Sequence, residues 1–95
     1  MAIGLNPDYA DAYSNLGNAL LDKGRISEAI SHYKTAIGLK PDYADAHNNL
    51  GGALFHAKMT EEAIDYFKEA IRIRPGFAAA QKNLETVLLR SEELE

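Results

Sequence analysis

The chain has 95 residues, of which 46% are hydrophobic and 25% charged, an ordinary composition for a single globular domain. Its net charge of −4 argues against a general nucleic-acid binder, because that function requires a basic surface. The absence of cysteine excludes disulfides and thiolate zinc sites and suits a reducing, cytoplasmic compartment, and no apolar run approaches the roughly 18 residues of a membrane span.

Five amphipathic helices are predicted along the chain, because apolar residues recur at the i, i+3, i+4 and i+7 positions almost throughout. The predicted helices cover residues 10–23, 27–39, 44–57, 61–73 and 77–91. Ser27 and Thr60 are candidate N-caps, and Pro41 and Pro75 each end the helix before them. No alternating apolar pattern predicts a strand. The fold class is therefore all-α, with short linkers that make successive helices antiparallel neighbours.

The sequence repeats itself with a period of 34 residues. Pro7, Pro41 and Pro75 each open a similar six-residue segment, and residues 2–20 match residues 36–54 at fifteen of nineteen positions. A fixed period of this length is typical of a helical hairpin that is stacked several times. Stacked hairpins present an extended surface, so the repeat favours a binding or scaffolding function.

Small and aromatic residues keep fixed positions in each repeat, in the pattern aromatic-x-x-Leu-Gly-x-x-Leu, then Ala-x-x-x-Tyr/Phe, then Pro. In the first repeat these residues are Tyr13, Leu16, Gly17, Leu20, Ala29, Tyr33, Ala36 and Pro41. In the second repeat they are His47, Leu50, Gly51, Leu54, Ala63, Phe67, Ala70 and Pro75. The pattern resembles the tetratricopeptide repeat, which implies a right-handed superhelical stack of antiparallel helix hairpins. A looser likeness, carried by Asn-Leu-Gly and Pro-Asp-Tyr-Ala-Asp-Ala, is to the repeat arrays of O-linked N-acetylglucosamine transferases.

We expect a single domain over residues 1–95. Residues 1–9 are assigned to the tail of a preceding repeat, 10–43 to the first repeat, 44–77 to the second, and 78–95 to a C-terminal capping helix. Gly17 and Gly51 are expected where the two helices of a hairpin cross, since small residues let helices approach closely. The expected core residues are Tyr13, Leu16, Leu20, Ile30, Tyr33, Ile37, Leu50, Leu54, Ile64, Phe67, Ile71, Leu84 and Leu88.

Three residues depart from the repeat pattern. Lys58 stands at the position of Gly24, where a left-handed backbone favours glycine, so we expect a turn of different shape. His47 takes a position that is aromatic in the first repeat and is expected in the core. Glu85 stands at the position of Gly17 and is expected on a solvated outer face of the last helix.

In tetratricopeptide arrays the first helices of the repeats line a concave groove, so the resemblance assigns the binding surface to their polar faces. The candidate groove residues are Asp11, Ser14, Asn15, Asn18, Asp22, Asp45, Asn48, Asn49, His56, Lys82, Asn83 and Arg90. Asn15, Asn49 and Asn83 form a ladder with one amide per repeat, and an amide can pair with the backbone of an extended peptide. The alternative interpretation is that this asparagine stabilises packing or the local turn.

Charge varies along the candidate groove. Asp11 and Asp22 lie at one end and Lys82 and Arg90 at the other, an arrangement that would orient a peptide with oppositely charged ends. Ordinary solvated charges are the alternative interpretation. The groove of some family members clamps a terminal carboxylate, but this clamp is not expected here, because a serine and a glycine stand where lysine and asparagine are needed.

No catalytic, metal or cofactor site is predicted, and we expect that the chain is not an enzyme. The acidic pairs that open each repeat, such as Asp42 and Asp45, recur with the period, which marks them as helix-start residues. The histidines lack the spacing of a metal-ligand set; they are His32, His47 and His56.

The function that we expect is a protein–protein interaction module that binds a peptide or a partner helix in the groove. One alternative is self-assembly or domain exchange through exposed apolar residues near the two ends, namely Ile3, Leu5, Leu88, Leu89 and Leu94. A second alternative is the substrate-recognition arm of a glycosyltransferase. The expected partner is a protein or peptide, or a second copy of the chain; neither nucleic acid nor a membrane is expected.

Overall fold

The computed structural model describes residues 8–93, which form five α-helices and no strand. The helices are α1 (Asp8–Asp22), α2 (Ile26–Leu39), α3 (Ala44–His56), α4 (Thr60–Ile73) and α5 (Ala78–Glu93). The all-α prediction is confirmed. None of these helices is both long enough and apolar enough to cross a membrane.

The helices form hairpins that stack in chain order. The most extensive packing is within the hairpins, between α1 and α2 and between α3 and α4, and each second helix also packs against the first helix of the next repeat. The first helices α1, α3 and α5 contact their neighbours along the stack, whereas α2 and α4 contact each other less. Because the first helices are closer together, they line the inner side of the stack and the second helices lie outside.

Glycine sets the close crossing inside each hairpin. A Cβ added to Gly51 would lie 2.7 Å from Cε1 of Phe67, and one added to Gly17 would lie 2.6 Å from Cε1 of Tyr33. Phe67 and Tyr33 are fully buried in the main core cluster. The predicted role of both glycines at the crossing is therefore confirmed.

The core follows the predicted pattern except at its two ends. Leu50 and Leu54 of α3 are completely buried, but Leu16 at the equivalent position of α1 is 44% exposed, and Leu88 of α5 is 43% exposed. The second helix of the preceding repeat covers Leu50, and no described helix covers Leu16. Leu88 faces the side of α5 on which earlier repeats carry their second helix. The prediction that Leu16 and Leu88 belong to the core was wrong.

The turns between the helices of a hairpin have the same shape in both repeats. Gly24 has φ of +79° and Lys58 has φ of +65°, so lysine adopts the left-handed backbone that glycine adopts in the first repeat. Our expectation of a different turn was wrong, because the surrounding hairpin imposes the conformation. The predicted caps Ser27 and Thr60 are also incorrect, since the N-cap positions are Arg25 and Met59, without side-chain capping bonds.

His47 occupies the core position that the repeat pattern predicts. It is 6% exposed, stacks on Tyr66, and shares a hydrogen bond of 2.9 Å between its Nε2 and the carbonyl oxygen of Pro41. Gln81, one repeat later, donates an equivalent bond of 2.7 Å to the carbonyl of Pro75. Polar residues at this position therefore tie the first helix to the turn that precedes it.

The first helix starts before the predicted start of the first repeat. α1 begins at Asp8, whereas the first repeat is predicted to begin at residue 10, and the division of the chain into repeats stays a prediction. The rest of the predicted tail, residues 1–7, lies outside the described residues, as does Leu94.

Candidate interaction groove

The inner face of the stack is built from four register positions that recur on α1, α3 and α5. Every residue at these positions is exposed or half-buried. The four rows of this inner face, read from α1 to α5, are Asp11, Asp45 and Ala79; Asn15, Asn49 and Asn83; Asn18, Gly52 and Thr86; and Asp22, His56 and Arg90. Ten of the twelve residues have polar or charged side chains, so the surface is suited to hydrogen bonding with a ligand.

Ser14 does not lie on this accessible surface. Only 2% of the residue is exposed, because Tyr43, which precedes the first helix of the next repeat, lies over it. Burial raises the pKa of the Tyr43 hydroxyl, and a polar contact with the Asp11 carboxylate raises the pKa further, against an opposing effect of the Ser14 hydroxyl. Ser14 and Asp11 therefore belong to the junction between two repeats.

The same junction recurs one repeat later with different residues. The Lys40 ammonium lies 4.7 Å from the centre of the Tyr43 ring, and the Arg74 guanidinium lies 4.5 Å from the centre of the Phe77 ring. Arg74 also pairs with Asp45 at 3.4 Å. These contacts are solvent-exposed and individually weak, about 1 kcal/mol or less each. They hold Asp45 at the edge of the inner face.

The asparagine ladder divides into two kinds of side chain. Asn83 donates a hydrogen bond of 3.0 Å from its Nδ2 to the Oδ1 of Asn48, which links α5 to α3. Asn15 and Asn49 make no side-chain hydrogen bond with any residue among 8–93. The packing interpretation therefore fits Asn83 and Asn48, whereas Asn15 and Asn49 offer their amides to solvent or to a ligand.

Asn18 is held by a hydrogen bond from a core tyrosine. The hydroxyl of the buried Tyr33 donates a hydrogen bond to the Oδ1 of Asn18, which leaves the Asn18 amide donors facing the groove. Burial raises the pKa of Tyr33 to about 12, and the nearby Asp22 carboxylate adds to the effect. No spacing in the sequence directly indicates this link, which joins a core tyrosine to a groove asparagine.

Alkaline unfolding tests the burial of the Tyr33 hydroxyl. The folded state holds its proton up to a pKa of about 12, whereas the unfolded state loses it near 10, so the contribution of Tyr33 is fully present below pH 10 and declines as the pH rises toward 12. Denaturant unfolding at several pH values should show a shallower loss of stability above pH 10 in Tyr33→Phe than in the wild type. Equal slopes in the two proteins would contradict the assignment.

The basic groove residues lie on or near the C-terminal side of the inner face. Lys82 and Arg90 of α5 are exposed, and so is His56 of α3, which shares the row of Arg90. Among residues 9–91, whose side chains the structure describes, the ion pairs do not include Lys82 or Arg90. Asp22, which is also exposed, lies at the α1 end of the same row.

Acidic and histidine side chains are the groups that could take part in catalysis or metal binding. Asp45 is held by Arg74, Asp42 is an exposed turn residue, and within residues 8–93 no three acidic or histidine side chains are grouped to hold a metal ion. His47, the most buried of the histidines, is engaged by Pro41. The arrangement is suited to contacts with a partner along an extended surface.

Comparison with known proteins agrees with this architecture. The family model of the tetratricopeptide repeat matches residues 2–44 and, in a second placement, residues 14–78. The crystal structure of MamA protein is 32% identical over 82% of this chain, with a TM-score of 0.79, and the chain spans 43% of its length. The TPR2AB domain of yeast Sti1, solved in complex with pHSP90, is 26% identical over 95% of this chain, with a TM-score of 0.89, and the chain spans 35% of its length. The chain belongs to the tetratricopeptide repeat family.

Proposed function

We propose that the inner face binds a segment of a partner protein in extended conformation. The observation that carries this proposal is the pair Asn15 and Asn49, whose amides stand one repeat apart on α1 and α3 without a side-chain partner among the described residues. Each amide supplies donors and an acceptor that suit the backbone of a strand-like peptide. Main-chain pairing of this kind gives affinity that depends little on the peptide sequence.

Charge supports a preferred direction for the bound segment. The exposed Lys82 and Arg90 favour an acidic portion over α5, and Asp22 favours a basic portion over α1. The yeast Sti1 domain was solved with pHSP90, which shows that a related stack accepts a protein partner. The absence of cysteine supports a reducing, cytoplasmic setting for this encounter.

Removal of the two free amides tests the proposal. A peptide selected on the wild-type protein from a displayed library of random peptides should bind Asn15→Ala/Asn49→Ala about thirtyfold more weakly, because the double variant loses two hydrogen bonds of about 1 kcal/mol each. Affinity is measured by fluorescence anisotropy with a labelled copy of the peptide. The matched control is Ser31→Ala/Thr35→Ala, which removes two exposed hydroxyls from the outer helix α2. Equal affinity of both variants and the wild type would exclude the two asparagines from the binding site.

Self-assembly is the second candidate function, and the apolar ends of the stack favour it. Leu16 on α1 and Leu88 and Leu89 on α5 are large, exposed side chains, with Leu89 at 53%. Apolar surface at two different ends supports head-to-tail association, which propagates unless a rotation closes it. The looser likeness to glycosyltransferase arrays remains a prediction. A substrate-recognition arm of that kind would bind its substrate in the same groove.

Light scattering at several protein concentrations tests self-assembly. We expect the molar mass of the wild type to rise above 10.4 kDa as the protein concentration increases. The mass of Leu88→Gln/Leu89→Gln should stay near that of the monomer, because the substitutions remove apolar area from the end of the stack. A single 10.4 kDa species at the highest concentration would remove this candidate.

A further inference from the structure

An open apolar groove of about 360 Å³ runs along α5, away from the inner face and beside Ile71 of α4. The residues of α5 that line this C-terminal groove are Gln81, Leu84, Glu85, Leu88 and Leu89. Four of the six lining residues are apolar, and Leu88 and Leu89 are large exposed side chains. The C-terminal groove is therefore suited to packing against the apolar side chains of another helix.

Glu85 limits what the C-terminal groove can hold. It stands at the repeat position of Gly51, where a Cβ would lie 2.7 Å from the Phe67 ring of the second helix. A helix that crossed α5 as closely as α4 crosses α3 would therefore meet the Glu85 side chain. Glu85 is exposed and takes part in no ion pair among the side chains that the structure describes. The groove thus suits a helix that crosses at a greater distance and carries a cation opposite Glu85.

A complementary surface lies at the other end of the stack, on α1. The residues of this α1 stripe are Ala12, Leu16, Ala19 and Lys23, which are all exposed. They share one face because they recur at intervals of three and four residues, and the N–H of Lys23 still bonds to the carbonyl of Ala19. The equivalent residues of α3 are completely buried where α2 packs against that helix, and these are Ala46, Leu50 and Ala53. The same face of α1 is therefore able to pack against a helix.

The α1 stripe and the C-terminal groove match in shape and in charge. Leu16 stands between two alanines, whose small side chains let a neighbouring helix approach closely. Lys23 supplies the cation that Glu85 calls for, and within the described side chains it also takes part in no ion pair. Opposite charges at the two surfaces favour this pairing over the pairing of two grooves, which would bring two Glu85 carboxylates together.

We infer that the C-terminal groove binds the α1 stripe of a second copy of this chain. This inference rests on self-assembly, the second candidate function. Leu16 of one copy enters the apolar part of the groove, formed by Leu84, Leu88 and Leu89, and Lys23 pairs with Glu85. The contact is heterologous, because two different surfaces meet, so every dimer keeps one free stripe and one free groove and can add further copies. One helix face against one groove is a small interface, so the association is weak.

Mixing two blocked variants tests the inference. Leu16→Gln alters the stripe and Leu88→Gln/Leu89→Gln alters the groove; all three leucines are exposed, so both variants should fold, which thermal unfolding verifies. Each variant alone should remain a monomer. An equimolar mixture should form a dimer and nothing larger, because only one intact stripe and one intact groove are available to each pair. Sedimentation equilibrium at protein concentrations up to about 1 mM measures the mass.

Charge reversal separates this contact from other apolar association. Lys23→Glu and Glu85→Lys should each weaken association about tenfold, since an attractive pair becomes repulsive. Lys23→Glu/Glu85→Lys should restore association, because the pair is rebuilt with its signs exchanged. The matched controls are Lys34→Glu and Glu62→Lys, which make the same changes of net charge at exposed residues of α2 and α4.

The outcomes distinguish the inference from self-assembly in general. A wild type that stays monomeric at every concentration would exclude both. If the wild type associates and Leu16→Gln associates equally well, α5 pairs with α5 of the second copy and the inference alone is overturned. The inference alone is also overturned if the double charge reversal fails to restore association, or if the control substitutions weaken association as much as the reversals at Lys23 and Glu85.

Discussion

Replacing Phe67 with alanine is expected to lower the free energy of unfolding by about 3–5 kcal/mol. The ring is 1% exposed and is held between the two helices of the second hairpin, against Gly51. Its removal loses the transfer free energy of the ring and leaves a cavity that the close helix crossing prevents from collapsing. Equilibrium unfolding in urea or guanidinium chloride, with the midpoint and slope fitted together, measures the loss.

Phe55→Ala is the matched control for this variant. Phe55 is an aromatic residue of α3 that is half-buried and packs against the edge of the same core. Its replacement should cost clearly less, about 1–2 kcal/mol, because part of the ring already contacts water. Equal losses from the two substitutions would show that Phe67 has no special place at the hairpin crossing.

Alanine at the two neighbouring glycines of α3 should change stability in opposite directions. Gly51→Ala places a Cβ 2.7 Å from the Phe67 ring, which is buried and has nowhere to move, so the overpacking should cost about 1–3 kcal/mol even after the gain in helix propensity. Gly52→Ala meets no atom within 4 Å and should stabilise the protein by about 1 kcal/mol.

The comparison of these two variants is internally controlled. Both substitutions add the same methyl group to adjacent residues of one helix, so the composition of the unfolded chain is the same. The difference in unfolding free energy between them, measured in one denaturant series, therefore reports the packing of the hairpin crossing. Stabilisation by both substitutions would mean that the helices of the hairpin are not held together at Gly51.

The repeat period predicted the helix order, the stacking and the glycine crossings because these are set inside one repeat. Gly17 and Gly51, and the aromatic residues that cover them, are separated by a constant interval within each hairpin. Such local relations are readable from spacing alone. The turn at Lys58 follows the same regularity although its residue does not, because the hairpin imposes a left-handed backbone on a residue that disfavours it.

Burial that depends on a neighbouring repeat was not predictable in this way. Leu16 and Leu50 have the same local pattern, yet one is exposed and the other buried, because within the described part of the chain a preceding helix packs against α3 and none packs against that side of α1. Ser14 has the pattern of a groove residue but lies under Tyr43 of the next repeat. A helical pattern gives the direction of a side chain and not the identity of what covers it.

The sequence predicted the groove as a surface, but it did not predict the hydrogen bonds between the side chains that form it. The bond between Asn83 and Asn48 and the bond between Tyr33 and Asn18 join residues on different helices. No interval in the sequence marks them as partners. In retrospect, the one available signal was the joint change from Asn18 and Tyr33 to Gly52 and Phe67 one repeat later.

We expect that α1, α3 and α5 jointly form the surface that receives a partner. Titration of ¹⁵N-labelled protein with a library-selected peptide, followed by two-dimensional NMR of the backbone and side-chain amides, tests it most directly. We expect the largest chemical-shift changes at Asn15, Asn49 and His56. Changes confined to the outer helices α2 and α4, or to the apolar end at Leu88 and Leu89, would contradict it.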